Sequence, residues 1–393
     1  MTFENLVAPR TARMGTSAIR EILKVVSQPG MISLAGGIPA PQSFPLDLIR
    51  PLVDSALTRY GHRALQYDLS EGFPPLQEAL ADYLRRHHTI TAAGDEILVS
   101  SGSQGVLDAI GKVLIGPGDA VAVEAPTYLG ALQAFTPYEP AYVQIESDDD
   151  GVIPASLEVA LAVKRVKFVY LVPTFQNPTG RTIPLARRIE IADMLRRHRA
   201  LLVEDDPYSL LRYDGDPLPP IHSLAPENVV YVGTLSKVLA PGLRIGFCVA
   251  PPAIRKWLVV VKQGVDLHTS TFNQALAAEY LTGGHLERHL PTIVNFYRPR
   301  LSAMLQALAA CMPSGFRWSM PNGGMFVWIE GPPALDMTSV YQKAVASGVA
   351  FVPGTYFHAA PGAGTQTARL NFTMADEATI AEGIARLAIL CQS

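Results

Sequence analysis

The stretch from Tyr231 to Gly246, YVGTLSKVLAPGLRIG, brings together side chains that could form a covalent bond beside a bound phosphate. Thr234 and Ser236 supply hydroxyl groups, Lys237 supplies an amine, and Arg244 follows a Pro-Gly turn. An amine can form an imine with a carbonyl compound, while hydroxyls and a guanidinium bind a dianion. The alternative is an ordinary solvated loop, because lysine side chains are rarely buried. Other motifs in the sequence are needed to distinguish a covalent site from a solvated loop.

Three loops that follow apolar runs could hold other parts of a planar, phosphorylated ligand. Ser103 and Gln104, in SSGSQG, open a helix whose free N–H groups and dipole favour an anion, although a plain helix cap has the same pattern. Tyr128, in EAPTYLG, could stack on a ring, and Asn177, in FQNPTG, could donate a hydrogen bond. Tyrosine in a core and asparagine as a turn cap remain the alternatives.

Asp205 is the most informative carboxylate of the sequence. It lies in LLVEDDPY, at the end of a very apolar run, and Tyr208 follows three residues later. Burying a carboxylate is costly unless a cation pairs with it. The pattern therefore predicts a cation paired with this carboxylate.

The elements that must position these residues alternate between helices and short apolar strands from about residue 46. Helical periodicity covers residues 46–60, 74–88 and 185–198, and one long helical stretch covers about 272–310. Apolar strands without strict alternation, separated by helices, indicate a mostly parallel sheet covered on both faces, with ligands at the carboxyl ends of the strands. The last part predicts a hairpin around residues 321–324 and a smaller α+β unit.

The N-terminal part predicts an amphipathic helix in TSAIREILKVVSQPG, with Ser17 as its N-cap. Arg20 lies on this helix, off the apolar stripe, where it either contacts a ligand or is solvated. Gly36 and Gly37 follow a short strand and would let the backbone approach a ligand closely, although an ordinary turn fits as well.

Composition excludes several classes of protein. The 393 residues are 48% hydrophobic and 17% charged with a net charge of −3, which favours folded domains over disorder and gives no sign of a nucleic-acid partner. The three cysteines are far apart, so no zinc site or disulfide framework is expected, and we predict no metal. We expect a cytoplasmic protein without membrane contact, because no signal peptide or long apolar span is evident.

The motifs, taken in order along nearly the whole chain, resemble the fold-type-I pyridoxal-phosphate-dependent aminotransferases of class I/II. The nearest likeness is to the group of 2-aminoadipate and kynurenine/2-aminoadipate aminotransferases. The resemblance depends on SLAGGIPAPQSFP, LQYDLSEGFPPL, SSGSQGVLD, EAPTYLGALQAF, FQNPTG, VEDDPY, TLSKVLAPGLRIGF, KQGVDLHTSTFNQ, PNGGMFVW and ARLNF. One departure is Gly105, where relatives often carry a glutamine.

The resemblance implies an α/β fold in which a mostly parallel seven-stranded sheet is sandwiched by helices, as in aspartate aminotransferase, with a smaller α+β C-terminal domain. Residues 1–45 would cover the substrate entrance as part of the small domain, residues 46–285 would form the large cofactor domain, and residues 286–393 the small domain.

The resemblance also assigns roles to single residues. Lys237 matches the lysine that carries the cofactor, pyridoxal 5'-phosphate, and moves the proton, and Asp205 matches the partner of the ring nitrogen. Tyr208 and Asn177 match the groups that bind the phenolic oxygen of the ring, and Tyr128 the residue that stacks on it. The phosphate ligands would be Ser103, Gln104, Thr234, Ser236 and Arg244, with Tyr67 serving the other subunit of a homodimer. Arg369 would bind the substrate α-carboxylate, Asn177 and Gly37 would adjoin the substrate, and Arg20 is the predicted second cation for acidic substrates.

The predicted activity is amino-group transfer from an amino acid to a 2-oxo acid such as 2-oxoglutarate. The donors considered are 2-aminoadipate, glutamate, and aromatic or branched-chain amino acids. A lyase of the same fold is the alternative among enzymes, since it would share the site. A regulatory aminotransferase-like domain is the alternative outside enzymes, but the chain shows no room for a preceding winged helix and no basic patch.

Overall fold

The computed structural model describes residues 3–14, 30–163 and 165–392. Its helices are α1 (Leu46–Tyr60), α2 (Pro74–His88), α3 (Ser103–Leu114), α4 (Leu129–Phe135), α5 (Pro154–Val163), α6 (Leu185–His198), α7 (Ile221–Leu224), α8 (Pro252–Asp266), α9 (Thr271–Thr282), α10 (His285–Cys311), α11 (Met337–Ala346) and α12 (Glu377–Leu390). Its strands are β1 (Ile32–Ser33), β2 (Ile97–Ser101), β3 (Ala120–Ala125), β4 (Ala141–Asp148), β5 (Gly151–Val152), β6 (Val166–Leu171), β7 (Leu202–Asp206), β8 (Val229–Thr234), β9 (Ile245–Val249), β10 (Arg317–Trp318), β11 (Phe326–Glu330), β12 (Val349–Ala350), β13 (Val352–Pro353) and β14 (Thr367–Asn371).

The large sheet has the order β2-β9-β8-β7-β6-β3-β4-β5. Strands β8, β7, β6, β3 and β4 are parallel to one another, whereas β9 is antiparallel to both of its neighbours. The predicted mostly parallel sheet is confirmed, and the two-residue strand β5 adds an eighth member. Since β9 is antiparallel to both β2 and β8, the carboxyl ends of β2, β7 and β8 lie at the same edge. This edge is where the polar loops of the sequence converge.

Burial explains why these strands lack alternation. Every residue of β7, β8 and β9 is buried, including the carboxylates of β7. Successive side chains of a strand point to opposite faces of the sheet, and helices cover both faces here. The side chains on either face must therefore be apolar, or polar with a partner. Two apolar clusters result, one of which includes Val230 and Val232 and the other Leu202 and Val229.

The predicted helices at residues 46–60, 74–88 and 185–198 are confirmed with these bounds. The predicted single stretch from 272 to 310 is instead two helices, α9 and α10, separated at Gly283 and Gly284. Gly284 has a φ of +62°, a conformation that glycine adopts without the steric cost of a Cβ atom. Every residue from Gln274 to Leu281 is buried, so α9 has no apolar stripe whose end would mark the break.

A smaller sheet near the C-terminus has the order β10-β11-β14-β13. The predicted hairpin is confirmed, because β10 pairs antiparallel with β11. Trp328 of β11 lies opposite Arg369 of β14, which places the arginine in the middle of the sheet. Separately, β1 pairs in parallel with β12, so the residues after Ser33 are brought beside the C-terminal unit.

The predicted N-terminal helix, with Ser17 and Arg20, lies outside the described residues. Within the described part of the chain, no helix is both long and apolar enough to cross a membrane.

Candidate active site

A pocket of about 350 Å³ opens at the carboxyl edge of the large sheet. Twelve of the residues singled out in the sequence line it: Gly37, Ser103, Gln104, Tyr128, Asn177, Asp205, Tyr208, Thr234, Ser236, Lys237, Arg244 and Arg369. They come from seven separate stretches of the chain, and most of them lie at strand ends or in the loops that follow. The fold therefore concentrates the predicted chemistry in one cavity.

Lys237 follows β8 by three residues, and its Nζ atom donates a hydrogen bond to the backbone oxygen of Gly37 at 3.2 Å. Burial, together with the positive charges of Arg369 and Arg244, lowers the pKa of Lys237 to about 8. A lysine amine becomes a nucleophile and a base only when it is neutral. The site therefore makes the neutral amine accessible near physiological pH.

Asp205 lies in β7 with 3% of its surface exposed. Its Oδ2 atom accepts a hydrogen bond from the hydroxyl of Tyr170 at 2.7 Å, whereas its Oδ1 atom is buried without a partner. Burial raises the pKa of Asp205 to about 7, although the Tyr170 hydroxyl opposes this shift. An orphaned buried carboxylate oxygen is costly. A protonated ring nitrogen of a ligand in the pocket would satisfy it.

The side of the pocket that holds the predicted phosphate ligands is built from the β2–α3 turn and the β8–β9 connection. Thr234 donates to Ser236 Oγ at 2.9 Å and accepts from the backbone N–H of Ser236 at 3.1 Å. Gly102 has a φ of +82°, and a Cβ atom there would collide with the guanidinium of Arg244. Residue 102 must therefore be glycine for two reasons: its backbone conformation disfavours other residues, and the Arg244 guanidinium occupies the space that a Cβ atom would need.

The opposite side is organised by Arg369, of which 8% is exposed. Its guanidinium donates to Asn177 Oδ1 at 2.9 Å and to the backbone oxygen of Ala35 at 2.8 Å, and its Nε atom has no partner. Asn177 in turn donates to the Tyr208 hydroxyl at 3.5 Å. Burial lowers the pKa of Arg369 to about 10, so the group stays cationic at neutral pH. It can bind a carboxylate through two N–H groups.

After the roles predicted from the sequence, we call two parts of this pocket its cofactor face and its substrate face. The cofactor face consists of Ser103, Gln104, Tyr128, Asn177, Asp205, Tyr208, Thr234, Ser236, Lys237 and Arg244. The substrate face consists of Ala35, Gly36, Gly37, Ile38, Leu129, Val352, Phe357 and Arg369.

Sequence reasoning missed the apolar members of the substrate face. Ile38, Leu129, Val352 and Phe357 look like ordinary core residues, and no spacing relates them along the chain. It also missed Tyr170, whose signal would have been a hydroxyl in the buried strand next to that of Asp205. Both omissions concern residues whose role depends on neighbours that are distant in sequence.

Tyr67 does not line this pocket. Its side chain is 76% exposed and lies in a separate depression, in edge-to-face contact with His268 at a centroid distance of 5.5 Å. Arg20 is outside the described residues, so the structure does not place it.

Comparison with known proteins identifies the family of the chain. The family described as "Aminotransferase class I and II" matches residues 47–387. The chain is 46% identical to aromatic-amino-acid aminotransferase 1 of Thermococcus litoralis, over 99% of this chain and 94% of the relative. The chain belongs to the class I and II aminotransferases.

Solved structures of other aminotransferases extend the match to the fold. A kynurenine aminotransferase of Pyrococcus horikoshii, in complex with PMP, superposes with a TM-score of 0.95 at 44% identity, covering 99% of this chain and 97% of that one. LysN, an α-aminoadipate aminotransferase of Thermus thermophilus complexed with N-(5'-phosphopyridoxyl)-L-leucine, superposes with a TM-score of 0.92 at 38% identity, covering 100% and 98%. The resemblance to this group is confirmed, and these relatives support amino-group transfer and do not favour the lyase alternative.

Proposed function

We propose that this aminotransferase binds pyridoxal 5'-phosphate across the cofactor face and an amino acid against the substrate face. The observation that carries the proposal is one cavity that combines Lys237, the unpartnered oxygen of Asp205 and the buried guanidinium of Arg369. A nucleophilic amine, an anion and a carboxylate-binding cation are the three protein groups that this chemistry requires. When bound, the cofactor supplies a carbonyl carbon and an aromatic ring that accepts an electron pair.

Lys237 has two tasks in this proposal. Its neutral amine holds the cofactor in the resting enzyme, and, once displaced by the amino acid, it takes the α-proton as a general base. Its pKa of about 8 leaves a substantial neutral fraction near neutral pH, and the 3.2 Å contact with the Gly37 oxygen holds Nζ between the two faces. The same amine returns the proton to complete the transfer.

Asp205, Tyr208 and Asn177 would hold the ring in one orientation. Asp205 would keep a proton on the ring nitrogen through its free Oδ1 atom, because the Tyr170 hydroxyl already occupies Oδ2. Tyr208 and Asn177 would bind the phenolic oxygen, and Tyr128 would stack on the ring. Ser103, Gln104, Thr234, Ser236 and Arg244 would hold the phosphate at the N-terminus of α3.

Arg369 would fix the α-carboxylate of the donor, since Asn177 and the Ala35 carbonyl orient its guanidinium in advance. The described apolar wall, with Ile38, Leu129, Val352 and Phe357, supports aromatic and branched-chain donors. Acidic donors such as 2-aminoadipate and glutamate need a second cation, and we keep Arg20 as that residue. The acceptor in this proposal is 2-oxoglutarate.

We further propose a homodimer with shared sites, located in the cytoplasm. Tyr67 supports the dimer, because its exposed hydroxyphenyl group faces away from its own pocket and would serve the partner subunit. The nearby exposed Leu65 and Leu267 would be covered by the same contact. We also keep the division into an entrance segment (1–45), a large domain (46–285) and a small domain (286–393).

The test is a panel of amino donors with 2-oxoglutarate, followed by borohydride reduction of the enzyme and peptide mapping. We expect glutamate to form, and the reduced cofactor to be found on one peptide that contains Lys237. Pyruvate release without glutamate would favour lyase chemistry, and a label on another lysine would contradict the assignment of Lys237. Sedimentation of a fully active monomer would contradict the shared-site dimer.

A further inference from the structure

A partly buried polar cluster adjoins the β2–α3 turn but lies outside the active-site pocket. This turn leads to the predicted phosphate ligands Ser103 and Gln104, and we call it the phosphate loop. We call it the Lys262 cluster; its members are Ser101, Lys262, Asp266 and Thr269. Lys262 Nζ donates to Asp266 Oδ1 at 2.6 Å and to Thr269 Oγ1 at 3.1 Å. Ser101 Oγ donates to the other oxygen of Asp266, Oδ2, at 2.7 Å. The carboxylate therefore joins an amine of α8 to the last residue of β2.

Lys262 is unusual because only 6% of its surface is exposed. Burial lowers its pKa, and the hydrogen bond to Asp266 opposes that shift. A buried ion pair contributes little to stability compared with well-packed apolar side chains of similar volume. A role in stability alone would therefore not require a lysine at this position, where its neighbours Leu258 and Val259 are already apolar.

Thr269 is also held in place by a residue outside the cluster. Gln274, which is completely buried, donates to the backbone oxygen of Thr269 at 2.7 Å and accepts from the N–H of Phe73 at 2.8 Å. Thr269 therefore cannot shift without breaking these bonds. Lys262 therefore joins a fixed partner, Thr269, to Asp266, the residue that accepts a hydrogen bond from Ser101.

Ser101 is the point where the cluster meets the loop. Its side chain is held by Asp266, and its backbone oxygen lies 3.4 Å from Nη2 of Arg244. The next residues are Gly102, with its φ of +82°, and Ser103, the first residue of α3. A displacement of Ser101 would move both the helix N-terminus and the arginine that bind the anion.

We propose that Lys262 is a positioning residue of the phosphate subsite, which acts through Asp266 on Ser101 and thereby on Ser103 and Arg244. This inference depends on the proposed binding of pyridoxal 5'-phosphate at that loop. The proposal distinguishes the contribution of the phosphate to cofactor affinity from that of the ring, because the cluster contacts the phosphate loop and not the ring-binding residues. A phosphate-specific loss of affinity is the signature of this role.

The experiment compares two ligands on the full chain freed of cofactor: pyridoxal 5'-phosphate and pyridoxal, which lacks the phosphate. Lys262→Met should weaken binding of pyridoxal 5'-phosphate about 10- to 100-fold, since hydrogen bonds to charged groups have effects of this size. Binding of pyridoxal should change less than about threefold. Lys256→Met, the same substitution at an exposed lysine of α8, is the matched control and should leave both affinities unchanged.

Ser101→Ala is a second variant in case Lys262→Met fails to fold, because it removes the link to the loop and keeps the Lys262–Asp266 pair. A double-mutant cycle of the two should give clearly less than additive losses, as expected for one connected path. Unchanged affinity for pyridoxal 5'-phosphate in both variants, or an equal loss for both ligands, would overturn the inference. A wild-type chain that binds neither ligand would instead refute the proposed function itself.

Discussion

The cofactor face and the substrate face of the same pocket are built in different ways. Most polar side chains of the cofactor face are fixed by partners within the strands and loops of the large sheet, as in the Tyr170–Asp205 and Thr234–Ser236 contacts. The substrate face joins residues 35–38, which follow β1, to Leu129, Val352, Phe357 and Arg369. Its only described cation is Arg369, and its other side chains are small or apolar.

This difference in construction suits two different roles, one common to all substrates and one specific to each substrate. Groups that act on every substrate need fixed geometry and charge, which a buried sheet edge supplies. Groups that select the substrate need only shape and one carboxylate anchor, which loops of different elements can supply. Changes at the cofactor face should therefore impair all donors equally, whereas changes at the substrate face should discriminate among donors unless they affect the α-carboxylate.

The largest expected effect is at Lys237, because it serves both faces. Lys237→Ala should lower kcat/KM for every donor by at least about a thousandfold, since nucleophile and general base are lost together. The measurement is steady-state transfer to 2-oxoglutarate, with Lys256→Ala as an exposed-lysine control that should retain activity. A Lys237→Ala enzyme that turned over at the wild-type rate would show that another group moves the proton.

Arg369 provides the next largest effect and tests whether the two faces are separable. Arg369→Gln should lower kcat/KM about 100-fold for acidic, aromatic and branched-chain donors alike, because each presents the same α-carboxylate to the guanidinium. Arg369→Lys should recover only part of this loss, since lysine keeps the charge but not the two-point geometry. Affinity for pyridoxal 5'-phosphate should stay within about threefold of wild type. A comparable loss of cofactor affinity would mean that the Arg369–Asn177 contact binds the faces into one unit.

The same division explains how much of the molecule the sequence could predict. The cofactor face was predicted almost completely, because its residues follow strand ends and combine types that rarely occur together without a ligand. The apolar substrate face was not predicted, because Leu129 and Phe357 differ from core residues only by the cavity beside them. The large sheet was predicted from unbroken apolar runs. The break between α9 and α10 at Gly283 and Gly284 was missed, because α9 is buried on nearly all sides and has no apolar stripe whose end would mark it.

Arg20 tests whether the substrate face extends beyond the described residues. Arg20→Gln should lower kcat/KM for 2-aminoadipate and glutamate about 10- to 100-fold, which corresponds to roughly 1.4–2.8 kcal/mol. Leucine and phenylalanine should change much less, because their side chains need no second cation. Equal losses for all four donors would mean that Arg20 holds its helix instead of the substrate. No loss for any donor would leave the side-chain carboxylate without an assigned partner.

The smallest effect expected is at Tyr170, which touches the cofactor face only through Asp205. Tyr170→Phe should lower kcat about tenfold for all donors equally, because the carboxylate loses one hydrogen bond but keeps its charge. A change in the ratio of kcat/KM between leucine and glutamate would contradict an action confined to the cofactor face.

The pH dependence of stability distinguishes this electrostatic role from packing. Burial raises the pKa of Asp205 from 3.8 to about 7, so between these values the folded chain without cofactor binds a proton that the unfolded chain has released. The contribution of Asp205 to stability must therefore fall as pH rises through that window.

The difference in Tm between wild type and Asp205→Asn, measured without cofactor, isolates this contribution. Because the Tyr170 hydroxyl opposes the upward shift of the pKa, the same difference measured in a Tyr170→Phe background should continue to change above pH 7. Bound pyridoxal 5'-phosphate should abolish the dependence in wild type, since its ring cation stabilises the ionised carboxylate. An identical pH profile in both backgrounds would show that Tyr170 only fills space beside Asp205.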